Sequence, residues 1–213
     1  MPKTPDEIFS PNHAIDAAIK EMLPQFSEAS QRRIKKAIRD AAKAAQMHQD
    51  ENTDAGARHI FREFIPGSVL NRCGYQLEYN EPIGGKTPDW LDLKSSLLME
   101  SYTFERGGTS PFKDRVKSAI ARKCATYRGI IATHSLRLVV SVYLDFVTGV
   151  SLTRCYEDPA MFRAAFDDNA SLWGILFFSE DQRGIPIAGV PYGFFCLAAD
   201  SEFERMPSWR LLA

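Results

Sequence analysis

Residues 84–104, GGKTPDWLDLKSSLLMESYTF, hold the reading that decides the fold. Apolar residues at Trp90, Leu91, Leu97, Leu98 and Met99 flank the stretch from Leu93 to Ser96, the pattern of two strands joined by a short loop. An antiparallel hairpin centred between Lys94 and Ser95 sets Asp89 opposite Glu100. Opposed Cβ atoms in such a pair lie about 4.5–5.5 Å apart, and like charges there destabilise a sheet unless something cationic lies between them. The pair therefore points to a hard divalent cation, Mg²⁺ or Mn²⁺, which takes carboxylate oxygens and keeps waters for chemistry. The inference depends on register, because a slip of one residue separates the two acids.

Working outward, the flanking segments read as a mixed sheet with helices. Upstream, DAGARHIFREFI places Ala57, Ile60, Phe61 and Phe64 at helical spacing, with Asp54 as cap, and NRCGYQLEYN alternates as a strand. Downstream, PFKDRVKSAIARKCATYRG predicts a long helix, and LRLVVSVYLDF is the β-branched run of a central strand with both faces covered. A short helix near DPAMFRAAFDD precedes two more apolar strands, LWGILFF and YGFFCLAA. Strands followed by a crossover helix that returns to the sheet place the chain in the α/β class: a central mixed β-sheet flanked by helices.

An N-terminal helical extension precedes this core. Residues 12–23 and 30–48 are rich in helix formers, and in the second segment Ile34, Ile38, Ala41 and Ala45 form a narrow stripe that packs on the body of this chain or on a partner. QDENTDAG supplies a polar break, so the expected division is a helical arm over residues 1–50 and a main domain over 51–213, with the arm serving protein docking or self-association.

Composition excludes several classes. The 213 residues are 45% hydrophobic and 25% charged, which suits a globular core rather than a disordered chain. The longest apolar stretch, LRLVVSVYLDFVTGV, is too short for a bilayer and carries Arg137 and Asp145, and MPKTPDEIFSPNH lacks the layout of a secretory signal, so no membrane partner and a cytoplasmic location are expected. Cys73, Cys124, Cys155 and Cys196 are scattered without a C-x-x-C pair, which argues for reduced thiols. A net charge of −1 gives no global pull on nucleic acid, yet Arg106, Lys113, Arg115, Lys117, Arg122, Lys123, Arg128 and Arg137 face only Glu105 and Asp114 between Glu105 and Arg137. That local excess suits either phosphate contact, with DNA or RNA as partner, or an ordinary solvated helix face.

Three further residues bear on the site. Glu63 stands at the edge of the apolar face of its helix, where it either leans over the carboxylates or pairs with His59 four residues earlier. On the long helix Val116, Ile120, Lys123 and Tyr127 share a stripe toward the sheet, so Lys123 either serves the site or snorkels to water. Trp90 either stacks on a base or belongs to the core. GGKT lacks the spacing and the following helix of a P-loop, and no nucleophile motif accompanies the four histidines.

The order of helix with Glu63, strand, TPD, strand with Glu100, helix ending ARKCATY and buried strand resembles the PD-(D/E)XK superfamily of restriction-endonuclease-like proteins over roughly residues 54–145. The resemblance implies a metal-dependent nuclease using Mg²⁺ or Mn²⁺, with Asp89 and Glu100 as metal-binding acids and Glu63 as the acid of the first core helix. The chain departs from the motif where a lysine belongs two residues beyond the glutamate: it reads Glu100, Ser101, Tyr102. Some members place the working lysine on the following helix, which makes Lys123 the expected stand-in. Without a stand-in the fold would serve as a catalytically inactive module that binds nucleic acid or protein.

Overall fold

The computed structural model describes residues 13–47, 55–103, 111–144, 160–187 and 190–198. The Asp54 cap, most of the polar break at residues 49–56, Arg106, Cys155 and the segment after residue 198 lie outside these. Helices α1 (His13–Met22), α2 (Glu28–Met47) and α3 (Ala55–Arg72) precede the hairpin strands β1 (Glu78–Tyr79), β2 (Trp90–Asp92) and β3 (Leu97–Thr103). Helix α4 (Phe112–His134), strand β4 (Arg137–Tyr143), helix α5 (Ala160–Asp167) and strands β5 (Leu172–Ile187) and β6 (Val190–Ala198) complete the order. The six strands form one mixed sheet in the order β1-β2-β3-β4-β5-β6, parallel at β3/β4 and β4/β5 and antiparallel elsewhere.

Side-chain alternation divides the interior between the two faces of this sheet. In β3, Leu97 and Met99 join one apolar cluster and Leu98 the other; in β4, Val139 and Tyr143 join the first and Leu138, Val140 and Val142 the second. The first cluster is closed by α1, α2 and α3 through Ile19, Ile34, Ile38, Phe64 and Val69. The second is closed by α4 and α5 through Val116, Ile120, Tyr127 and Phe162. Burial of β4 on both faces explains its continuous apolar sequence.

The stripe on α2 is directed at the body of this chain, since Ile34 and Ile38 are buried and Ala41 packs against the same cluster as Trp90. Polar contacts reinforce the seam: the Ser27 and Ser30 hydroxyls each donate to Glu78 Oε2 at 2.6 Å, and Arg33 pairs with Glu78 at 3.7 Å and with Glu81. The expected division at residue 50 thus falls between segments that contribute to one apolar cluster.

Two element boundaries differ from expectation for identifiable reasons. Helix α3 runs through Pro66 to Arg72, and so takes in the start of the segment expected to be a strand. Proline removes one helical hydrogen bond, but Ile65, Val69 and Leu70 around it are fully buried and hold the helix on the sheet. The chain leaves the helix at Gly74, whose φ of +94° suits glycine, and only Glu78 and Tyr79 remain to pair as β1. Likewise α4 continues past Gly129 and ends at Ser135, in the left-handed conformation, with the Leu136 N–H donating to the Ile131 carbonyl at 3.0 Å.

GGKT is a tight turn: Ile83 and Lys86 exchange N–H···O bonds of 2.9 Å across Gly84 and Gly85, whose φ values are +53° and +73°. Trp90 is completely buried, and its indole lies over Gly67, where a Cβ would collide with it. It is a core residue, not a base-stacking platform. The described cysteines, Cys73, Cys124 and Cys196, are free thiols. Among the described residues no helix is long and apolar enough to cross a membrane.

Candidate functional site

The hairpin pairs Trp90 with Met99, Leu91 with Leu98 and Asp92 with Leu97. Its loop is the Leu93–Ser96 stretch, and Asp92 fixes it by accepting from the Ser95 N–H at 3.0 Å and the Gln76 N–H at 2.8 Å. Continued by one residue, the same register sets Asp89 against Glu100. Two hydrogen bonds lace them together: the Asp89 N–H donates to Glu100 Oε1 at 3.2 Å, and the Ser101 N–H donates to Asp89 Oδ2 at 2.6 Å.

Helix α4 delivers the cation. Val116, Ile120 and Tyr127 are buried against the sheet, and Lys123 on the same stripe directs its Nζ to Glu100 Oε2. Lys123 is 23% exposed and Glu100 is 4% exposed, so the ammonium stands between the buried carboxylate and solvent. The Tyr127 hydroxyl also bonds Glu100; burial first, and then the carboxylate, push that phenol's pKa up.

Helix α3 delivers the third acid. Glu63 Oε2 accepts from the Tyr79 hydroxyl at 2.9 Å, and its Oε1 pairs with His59 Nε2 at 3.1 Å. The Trp90 indole N–H donates to the Glu63 backbone carbonyl at 2.8 Å, tying this turn of α3 to the start of β2, which Asp89 directly precedes. The i−4 partnership with His59 therefore exists, and it holds Glu63 over the site rather than away from it: Glu63 and Asp89 line the same cleft.

That cleft has a volume of about 440 Å³. Glu63, Asp89 and His59 line it together with Arg115, Arg122 and Lys123 of α4. Ser101, Tyr102 and Thr103 at the end of β3 complete the lining. Burial pushes the Asp89 carboxyl up to about 8, the Glu63 and Glu100 carboxylates push the same way, and Lys123 and the Ser101 N–H offset them only in part. In the absence of another cation Asp89 therefore holds a proton at neutral pH. His59 is raised by its hydrogen bond to Glu63, against the opposing effect of burial.

Of the residues singled out in the sequence, Asp89, Glu100 and Lys123 form one hydrogen-bonded cluster, and Glu63 lines the same cleft as Asp89 and Lys123. Sequence reasoning missed Tyr79, which orients Glu63, because its role depends on a contact between strand and helix that no local spacing encodes. Arg115 and Arg122 stood among eight basic residues without distinction, although their separation of seven on one helix was a readable signal. Lys113, Lys117 and Arg128 do not line the cleft.

Hard carboxylate oxygens from three elements suit Mg²⁺ or Mn²⁺ as a donor set. Among the described residues, however, no group of three or more His, Cys, Asp or Glu side chains is already gathered as a metal centre. Glu100 is engaged by Lys123 instead. No family model, curated protein or solved structure matches this chain.

Proposed function

We propose that the protein is a metal-dependent phosphodiesterase acting on nucleic acid, a nuclease of the PD-(D/E)XK kind. The observation that carries the reading is the meeting of Asp89, Glu100 and Lys123 beside an open cleft, with Lys123 arriving from α4 onto the carboxylate that the motif pairs with a lysine. The element order α3-β1-β2-β3-α4-β4 supports it, being the order on which the resemblance rests.

In this reading Asp89 and Glu100 hold Mg²⁺ or Mn²⁺, with Glu63 assisting, and the ion when bound activates water and stabilises charge on the phosphate. Lys123 supplies a fixed positive charge at the cleft wall, placed to neutralise a non-bridging phosphate oxygen and to orient the attacking water. Its hydrogen bond to Glu100 holds that ammonium in place before substrate arrives, so little reorganisation is needed in the reaction. Tyr79 and His59 keep Glu63 turned into the cleft. The test is cleavage of single-stranded DNA, duplex DNA and RNA with Mg²⁺ or Mn²⁺, alongside Asp89→Asn. Activity abolished in a folded Asp89→Asn protein is expected; wild-type protein that neither binds the ions at millimolar concentration nor cuts any substrate defeats the enzyme reading.

One observation favours a second reading, a catalytically silent nucleic-acid-binding module. Glu100 already has its counter-charge in Lys123, so that carboxylate is satisfied without a metal. Binding without cleavage, unchanged by Mg²⁺ and by Asp89→Asn, is the outcome that selects it.

A further inference from the structure

A second chamber of about 340 Å³ adjoins the cleft and shares three residues with it, Tyr102, Arg115 and Arg122. Asp114, Ser118 and Ala119 complete its lining. Arg115, Ser118 and Arg122 recur at three and four along α4, so both guanidinium groups and the hydroxyl lie on one face of the helix. Tyr102, near the end of β3, and the two arginines are common to both spaces. The chambers therefore adjoin, and α4 supplies the cationic residues they share.

We infer that this second chamber is a subsite for the nucleotide next to the bond placed at Lys123, and that the strand recognised there is single-stranded. The inference rests on the nucleic-acid reading of the cleft. A phosphate shared between the chambers meets Arg115 and Arg122, which bind phosphate through planar, multi-donor guanidinium groups. The base next to it meets the Tyr102 ring, and Ser118 and Asp114 offer hydrogen bonds to its edge or sugar. The volume falls within the range of small-ligand pockets, about 300–1,000 Å³, and suits one nucleotide. A base inside a duplex is stacked and paired and does not present its face to an aromatic side chain, whereas an unpaired base does.

The test measures binding of a fluorescent oligothymidylate in EDTA across a salt series, so that cleavage plays no part in the readout. Each phosphate contact with a single strand contributes about 0.7 to the slope of log affinity against log salt. Arg115→Gln with Arg122→Gln, which strips the one shared phosphate of its guanidinium partners, is expected to lower that slope by about 0.7, with circular dichroism and melting unchanged. Lys113→Gln with Lys117→Gln removes the same charge from the same helix outside both chambers, and is expected to leave the slope as in wild type. Tyr102→Leu, which keeps an apolar side chain beside α4, is expected to weaken oligothymidylate binding about 5- to 100-fold without changing the slope. Equal loss of slope in both double variants shows general attraction to a basic helix and overturns the subsite. Duplex bound as tightly as the single strand overturns its single-stranded character. A protein that binds as expected but never cleaves leaves the subsite standing and defeats the enzyme reading, so the two proposals fail separately.

Discussion

Replacing Asp89 by asparagine tests the electrostatics of the site before any substrate is known. The folded carboxyl is raised to about 8 from an ordinary value of 3.8, with burial as the main cause and Glu63 and Glu100 adding to it. Between those two pH values the folded protein holds a proton that the unfolded chain has lost. Stability therefore falls as pH rises through the window, by about 1.4 kcal/mol per pH unit for one proton. From pH 5 to pH 7 the Asp89 contribution amounts to about 3 kcal/mol, and it vanishes below about pH 4, where both states are protonated. The asparagine side chain carries no charge and keeps an oxygen for the Ser101 N–H, so the variant escapes this loss. Urea unfolding of both proteins in EDTA at several pH values checks it. The variant should gain on wild type by about 3 kcal/mol across that interval. Mg²⁺ at a hundredfold excess over Kd should close most of that gap, stabilising wild type by about 2.7 kcal/mol and leaving the variant unmoved. A difference between the two proteins that is flat with pH would refute the reasoning.

Lys123→Ala leaves Glu100 buried without its partner and should cost about 3–5 kcal/mol of stability by denaturant titration; the double variant Lys123→Ala with Glu100→Gln should recover much of that loss. In an active enzyme, Lys123→Ala should lower kcat more than it weakens Mg²⁺ binding, since its partners are water and phosphate. Gly67→Ala gains about 1 kcal/mol of helix propensity but drives a methyl group into the Trp90 indole, for a net loss of about 1–2 kcal/mol in melting experiments. Deleting residues 1–50 removes Ile19, Met22, Ile34 and Ile38 from the cluster around Trp90, so the truncated chain should melt at lower temperature and associate through the uncovered face by sedimentation; a truncated monomer with an unchanged melting point would show the arm to be separable.

The parts of this molecule that were legible in its sequence are those fixed by short-range periodicity. The β2–β3 hairpin is one: Leu93–Ser96 leaves room for one loop, and the loop sets every pair behind it, including Asp89 with Glu100. The inward stripe of α4 is another, because Val116, Ile120 and Tyr127 could bury only on a face that also carries Lys123. The boundaries of α3 and β1 were illegible because tertiary burial of Val69 and Leu70 outweighed the local penalty of Pro66. Glu63 was ambiguous for a different reason. Its i−4 contact with His59 and its place in the cleft look like alternatives along the chain, whereas the Tyr79 hydroxyl, brought in from β1, lets one side chain satisfy both.

On the proposed function, the same reasoning accounts for Tyr102, which stands two residues beyond Glu100, where a PD-(D/E)XK nuclease carries lysine. Alternation along β3 puts Tyr102 on the α4 side of the sheet, the side to which Leu98 and Glu100 belong, and its ring packs against the apolar cluster beneath α4. A lysine at position 102 would bring a second ammonium to the face where Lys123 already meets Glu100, a like-charge conflict at a half-buried site. With tyrosine there Glu100 keeps a single ammonium partner, delivered by α4, and both chambers gain an aromatic lining residue. A lysine carried by a helix also has a fixed direction of approach. Lys123 comes from the wall that carries Arg115 and Arg122, so on the proposed function the charge beside the reacting phosphate and the charges on its neighbour belong to one rigid element. A strand of nucleic acid aligned by the arginines is thereby aligned on the lysine as well.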